Sequence, residues 1–132
     1  MVERFNHIGV CVYSIDKTFA WMEKTMGAKM LSRVEYPARH QVSAIVVLPD
    51  GASRYELMEP IGTEGTVAAF LAKRGEGFHH LSLFTNDVDA AVKEFEAEGC
   101  RIISHEKGLA FLHPKTSGGI LYEISDGTYG KK

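Results

Sequence analysis

An internal duplication limits the folds open to this chain of 132 residues. The string Phe5-Asn6-His7-Ile8-Gly9-Val10 is matched 73 positions later by Phe78-His79-His80-Leu81-Ser82-Leu83. Further on, Arg54-Tyr55-Glu56-Leu57 is matched 67 positions later by Leu121-Tyr122-Glu123-Ile124. A repeat of about 50 residues buries little apolar surface by itself. The duplication therefore predicts two similar modules that fold together.

Both copies show the same order of periodicities. Ile8 and Val10 alternate with polar or small residues, as in a half-buried strand. Apolar residues at helical spacing follow a start signal at Ser14 and end at Gly27, and the second copy repeats this up to Gly99. In the first copy, the predicted elements after the first strand are a helix at 16–26 and strands at 29–35, 41–48 and 54–59. In the second copy, they are a helix at 87–98 and strands at 101–105, 109–112 and 119–124. Each copy thus reads as βαβββ.

This order predicts an α+β fold in which two tandem βαβββ modules form an open, curved, eight-stranded sheet, with helices on its convex face. Module one spans 5–59, a linker spans 60–76 and module two spans 77–126, all within one domain covering 1–132. Inside the linker, the apolar patch from Val67 to Leu71 predicts one or two helical turns.

Composition excludes several classes of protein. The chain is 45% hydrophobic and 24% charged with a net charge of −2, which is typical of a globular domain and argues against binding to nucleic acid or to an anionic membrane. No apolar run approaches the roughly 20 residues that span a bilayer, and no basic and apolar leader precedes Phe5. We therefore expect a cytoplasmic protein.

Cys11 and Cys100 stand far apart and are expected to be reduced.

Four polar residues occupy equivalent positions in the two copies, on the first and last strands: His7, Glu56, His80 and Glu123. If Ile8 and Val10 face a helix, these four side chains face the opposite side of the sheet. Any one of them alone is typical of a polar residue near a strand end. Two imidazoles and two carboxylates placed together by a repeat instead predict one divalent metal ion per chain, for which Co, Ni, Mn and Zn are all suitable.

The strings NHIGVCV, YELMEP, GEGFHHLSL and AFLHPKTSGGILYEI resemble the vicinal oxygen chelate superfamily and, within it, the methylmalonyl-CoA epimerases. The resemblance covers nearly the whole chain. It implies that the metal ligands are His7, Glu56, His80 and Glu123, although some epimerases have Gln where this chain has Glu56. It also implies a small-molecule substrate, an acyl-CoA, and a homodimer, for which the unpaired edges of an open sheet give a physical motive.

The reaction implied is epimerisation of methylmalonyl-CoA or a similar acyl-CoA, by proton abstraction through a metal-stabilised enolate. Glu123 is the first candidate for the catalytic base. His40 is the candidate for the opposite face of the substrate, with Glu35 as a weaker choice. The chain departs from some bacterial epimerases, which carry a second catalytic Glu on the strand that here begins at Gln41.

Two other functions stay open on the sequence. A glyoxalase I-like lactoylthiol lyase would use the same four ligands and similar proton transfer. A non-catalytic, small-molecule-binding protein of the same fold is favoured by the missing second carboxylate. No phosphate-loop, dinucleotide-binding or serine-hydrolase motif occurs in the chain.

Overall fold

The structure, a computed structural model, describes residues 1–129. It contains strands β1 (Arg4–Cys11), β2 (Lys29–Tyr36), β3 (Gln41–Val47), β4 (Arg54–Pro60), β5 (Gly77–Phe84), β6 (Ile102–Glu106), β7 (Leu109–Leu112) and β8 (Tyr122–Ser125). Its helices are α1 (Ile15–Met26), α2 (Thr66–Arg74) and α3 (Val88–Ala97), and short 3-10 turns lie at Pro37–Arg39 and Pro114–Thr116. None of these helices is both long enough and apolar enough to span a membrane.

The eight strands form one open mixed sheet in the order β2-β3-β4-β1-β5-β8-β7-β6. Within each copy the first and last strands are parallel neighbours, β1 with β4 and β5 with β8, and the remaining pairs are antiparallel. The predicted α+β fold and its repeated βαβββ order are thereby confirmed. The described residues divide into two compact units, one formed by His7–His79 and the other by Met1–Asn6 together with 80–129. The division into modules at 5–59 and 77–126 of a single domain stays a prediction.

In the first unit, α1 begins and ends at the predicted signals. The Ser14 side chain accepts a hydrogen bond from the Lys17 N–H, and Gly27 ends the helix with a positive φ of 69°. One face of α1 packs on one face of the sheet. The buried residues of this cluster come from both elements and include Ile15, Met22, Val42, Ala44, Val46 and Leu57. The alternation read in the sequence therefore places the apolar residues of β3 and β4 against the helix.

The linker forms a longer helix than its apolar patch predicts. Val67 and Leu71 of α2 are buried against Cys11 of β1 and Met58 of β4, on the sheet face opposite α1. The chain reaches this position through a close approach at Gly65, where an added Cβ would lie 2.7 Å from a backbone oxygen. Burial of its apolar side extends the helix across nine residues.

The second unit repeats this design with one correction. Asp87 caps α3 by accepting a hydrogen bond from the Ala90 N–H, and α3 packs on residues of β7 and β8: Ala110, Leu112 and Ile124. The last strand was predicted to start at Gly119 but starts at Tyr122. Gly118 and Gly119 both have positive φ values, 73° and 85°, which are incompatible with an extended strand.

Candidate metal centre

The first candidate ligand pair lies on β1 and β4. Their parallel register pairs Gly9 with Glu56, so His7, two residues before Gly9, points to the same sheet face as Glu56. His7 Nε2 lies 3.4 Å from Glu56 Oε1, and the two side chains are 11% and 18% exposed. β4 is paired on its other side with β3, where Ile45 lies opposite Glu56. Both flanking strands therefore fix the backbone of this glutamate.

The second pair lies on β5 and β8 with the same register. Ser82 is paired with Glu123, and His80 again stands two residues before the paired position. His80 Nε2 lies 3.5 Å from Glu123 Oε2, and the side chains are 3% and 12% exposed. On the other side of β8, Phe111 of β7 lies opposite Glu123. The duplication thus gives two His/Glu pairs that are built in the same way.

The side chains around the second pair hold it tightly. The Ser82 hydroxyl donates a hydrogen bond of 2.7 Å to Glu123 Oε1, while Ser82 itself is fully buried. The Phe111 ring meets the His80 ring edge to face, with centroids 6.0 Å apart and an interplanar angle of 84°. One carboxylate oxygen and one imidazole ring are therefore held in place by neighbouring residues.

The first pair has polar neighbours on β3. Gln41 and Ser43 are buried on the same face of the sheet as Glu56, and the Gln41 amide donates a hydrogen bond of 3.0 Å to the Ser43 hydroxyl. Burial, together with the negative charge of Glu56, raises the pKa of the Cys11 thiol to about 12. Cys11 therefore stays a neutral thiol around neutral pH.

The four predicted ligands form one group. One ligand atom from each of His7, Glu56, His80 and Glu123 lies within 4.8 Å of the others. Ligands at about 2.1 Å from a common ion are separated by roughly 3 Å when adjacent and 4 Å when opposite. The donor set and its spacing therefore fit a divalent metal with mixed nitrogen and oxygen ligands. The sequence predicted these four residues, and their assignment as ligands stays a prediction.

The candidate for the second acid or base lies elsewhere. His40 adopts a left-handed backbone conformation with φ 55° after the first 3-10 turn. Its Nε2 lies 3.5 Å from the Glu64 carboxylate, and its side chain is 43% exposed. The structure does not include His40 in the four-residue group. Glu35 lies on β2 and is exposed.

Sequence reasoning missed Ser82 and Phe111. Ser82 sits on the strand of His80 at the next position of the same face, and the repeat aligns it with Gly9. Its contact with Glu123 depends on the register of two strands far apart in sequence. An alignment of the parallel strands of the two copies would have found it, since the repeat fixes the same register in both.

Comparison with known proteins identifies the family of the chain. A family model described as the glyoxalase/bleomycin resistance protein/dioxygenase superfamily matches residues 6–112. The chain therefore belongs to this superfamily, whose paired βαβββ fold it shows.

Similar proteins include methylmalonyl-CoA epimerases. The human mitochondrial methylmalonyl-CoA epimerase is 33% identical over 129 residues, covering 92% of this chain and 72% of that protein. The crystal structure of the Mycobacterium tuberculosis epimerase superposes with a TM-score of 0.83 at 26% identity, covering 94% of this chain and 87% of the other. A variant of the Streptomyces coelicolor epimerase, in complex with 2-nitronate-propionyl-CoA, gives a TM-score of 0.81 at 30% identity, covering 94% and 96%.

Proposed function

We propose that this protein is a metal-dependent epimerase of methylmalonyl-CoA or a closely similar acyl-CoA. The observation that carries the proposal is the group His7, Glu56, His80 and Glu123, whose ligand atoms lie within 4.8 Å of one another. The similarity to methylmalonyl-CoA epimerases supports the choice of substrate. A divalent metal held by these residues would supply a Lewis acid for the negative charge of an enolate.

Glu123 is the proposed base on one face of the substrate. A carboxylate offers about four lone-pair sites, so Glu123 keeps acceptor capacity beside the hydrogen bond from Ser82. It would take the proton from the carbon between the thioester and the carboxylate, leaving the electron pair in the enolate. At 12% exposure its side chain is largely shielded from water, which favours proton transfer to and from the substrate.

His40 is the proposed partner on the other face, where it would return a proton to the same carbon. His40 Nε2 lies 3.5 Å from a Glu64 carboxylate oxygen, and its side chain is 43% exposed. After one turnover the substrate has inverted its configuration, Glu123 carries the proton removed and His40 has lost one. Exchange with water resets both groups.

The polar pair on β3 is the proposed contact for the substrate carboxylate. Gln41 and Ser43 are buried on the face of Glu56 and offer an amide and a hydroxyl. In the second unit the corresponding strand presents Phe111 opposite Glu123. Hydrogen-bonding groups beside one ligand pair and an aromatic ring beside the other would favour one orientation of the acyl group.

The test is proton exchange at the α-carbon of methylmalonyl-CoA in deuterated water, followed by mass spectrometry, with and without added Co²⁺. We expect exchange that requires the metal. Glu123→Gln keeps an oxygen donor but removes the base, so exchange should fall at least about 100-fold while metal is retained. Glu56→Gln, at the repeat-equivalent position, is the matched control and should keep exchange within about 10-fold.

Two results would overturn the proposal. The first is turnover of a methylglyoxal–thiol adduct without any exchange on methylmalonyl-CoA, which would indicate a lactoylthiol lyase. The second is tight binding of an acyl-CoA with no turnover of either compound, which would indicate a binding protein.

In a His40→Gln variant, exchange of the epimer deprotonated by Glu123 should persist while conversion between epimers is lost.

We further propose that the protein acts in the cytoplasm as a homodimer. β2 and β6 are the outermost strands of the sheet in the part of the chain that the structure describes, and covering the edge of an outermost strand favours self-association. Light scattering at micromolar concentration should give about twice the 14.6 kDa of one chain. A monomer mass under these conditions would contradict the dimer.

A further inference from the structure

We propose that Ser82 is a positioning residue for the metal site, which holds Glu123 so that a single carboxylate oxygen is presented to the ion. This inference rests on the proposed metal-dependent function. It concerns the orientation of one ligand.

The first observation is the burial of the serine. Ser82 is fully buried in β5, and a buried hydroxyl needs a hydrogen-bond partner. It donates to Glu123 Oε1 at 2.7 Å, a short distance typical of a hydroxyl bound to a charged carboxylate. The contact is therefore a strong and specific one.

The second observation is that the two carboxylate oxygens of Glu123 make different contacts. Oε1 accepts the hydrogen bond from Ser82, whereas Oε2 is the oxygen that lies 3.5 Å from His80 Nε2. A free glutamate side chain turns about its terminal bond and presents either oxygen or both. The hydroxyl makes the two oxygens unequal and leaves Oε2 to face the neighbouring ligand.

The third observation comes from the repeat. In the first unit the residue paired with Glu56 is Gly9, which has no side chain and cannot make the corresponding contact. The backbone register is the same in both units, so the serine is not required to build the strand pair. Its hydroxyl is an addition to one of two otherwise equivalent positions.

Removal of a group that hydrogen-bonds a metal ligand without contacting the ion typically lowers metal affinity by 10- to 100-fold. Holding Glu123 in advance also reduces the loss of side-chain freedom on binding. We therefore expect Ser82→Ala to weaken metal binding about 10-fold, with a changed visible spectrum of bound Co²⁺, because the carboxylate can then bind through both oxygens.

The experiment is titration of metal-free protein with Co²⁺, read by visible absorbance and by calorimetry. Ser82→Cys keeps the volume of the side chain but replaces the hydroxyl with a weak donor, so it should lose affinity as alanine does. Ser82→Thr keeps the hydroxyl and should remain within about threefold of the wild type. Ser125→Ala removes another buried hydroxyl, one whose oxygen accepts a hydrogen bond from the Gly127 N–H, and should leave Co²⁺ binding unchanged.

The outcomes separate this inference from the proposed function. If the wild type binds Co²⁺ and Ser82→Ala and Ser82→Cys bind it equally well with the same spectrum, the inference is wrong and the proposed function stands. Equal losses in Ser82→Ala and Ser125→Ala would also overturn the inference, because a general effect on packing would then explain both. If the wild type binds no divalent metal, the metal-dependent function itself fails.

Discussion

The two His/Glu pairs have one backbone plan and different surroundings. In both, the histidine stands two residues before the position paired with the glutamate, and the nitrogen-to-oxygen distances are 3.4 and 3.5 Å. The pair in the second unit is more deeply buried, with a serine hydroxyl on its glutamate and an aromatic ring on its histidine. The pair in the first unit has glycine and isoleucine at the corresponding positions.

In a duplicated fold, both copies inherit some properties while others diverge. The strand register comes with the repeat and by itself places the side chains of the candidate ligands. The residues around each ligand are single side chains that can change without altering the register. A site built from two copies can therefore assign different tasks to chemically identical ligands.

The largest difference between the units is expected in the reactivity of their cysteines. At pH 8, a pKa of about 12 leaves roughly one Cys11 thiol in 10⁴ ionised. Cys100 is partly exposed, so iodoacetamide should modify it more than about 1000-fold faster than Cys11, measured by peptide mass spectrometry. Since a raised pKa favours the neutral thiol, the rate at Cys11 should still be rising with pH at pH 9. Comparable labelling of both cysteines in the folded protein would contradict this expectation.

Removal of either histidine should weaken metal binding strongly. His7→Ala and His80→Ala each delete a candidate ligand. We expect each to lower Co²⁺ affinity by more than about 100-fold, because loss of a group that only hydrogen-bonds a ligand already lowers metal affinity by 10- to 100-fold. Calorimetry on metal-free protein measures it. His105→Ala is the control, since this histidine binds Asp89 at 2.7 Å and lies outside the group. Unchanged binding in either ligand variant would remove that histidine from the site.

Matched core substitutions compare the packing of the two units. Leu57 and Leu112 are each 1% exposed, one in each main core cluster. Replacement of either by alanine should lower the free energy of unfolding by about 3 kcal/mol, because it removes buried methyl groups and leaves a cavity. Urea unfolding followed by circular dichroism measures the loss. A cost below about 1 kcal/mol for one of them would identify the unit with the looser core.

The helix caps should contribute less. Ser14→Ala removes the hydrogen bond to the Lys17 N–H, and Asp87→Ala removes the one to the Ala90 N–H. Each change should lower the free energy of unfolding by about 1 kcal/mol. The loss at Asp87 should be equal or larger, since its charge also interacts with the helix dipole. Ser14→Thr and Asp87→Asn keep a capping oxygen and should recover most of the stability in the same unfolding experiment.

The smallest expected effects are at two equivalent surface ion pairs. Asp16 binds Arg33 and Asp89 binds His105, each at 2.7 Å. Asp16→Asn and Asp89→Asn should each cost less than about 1 kcal/mol, as exposed pairs do. Urea unfolding of both variants measures these costs, and a loss above about 2 kcal/mol at either site would contradict the assignment of an exposed pair.

Much of the fold and the grouping of His7, Glu56, His80 and Glu123 could be predicted because both depend on periodicity. Alternation identified the strands, and the repeat turned four isolated polar residues into two equivalent pairs. The start of the last strand was misplaced because Gly119 directly precedes the apolar residues Ile120 and Leu121 in sequence, while its backbone has a positive φ. The contact between Ser82 and Glu123 could not be predicted from one copy, since it depends on pairing between residues 41 positions apart.

The glutamates of both pairs lie inside strands that are bonded to a neighbour on each side. Their positions are therefore set by the backbone ladder and not by the ion. In small zinc domains the ion and the fold form together, so a chelator unfolds the chain. Here we expect chelation to be reversible, with the bare protein remaining folded and ready to take up a different divalent ion. The metal bound in the cell would then depend on which divalent ion is available and on how fast bound ions exchange.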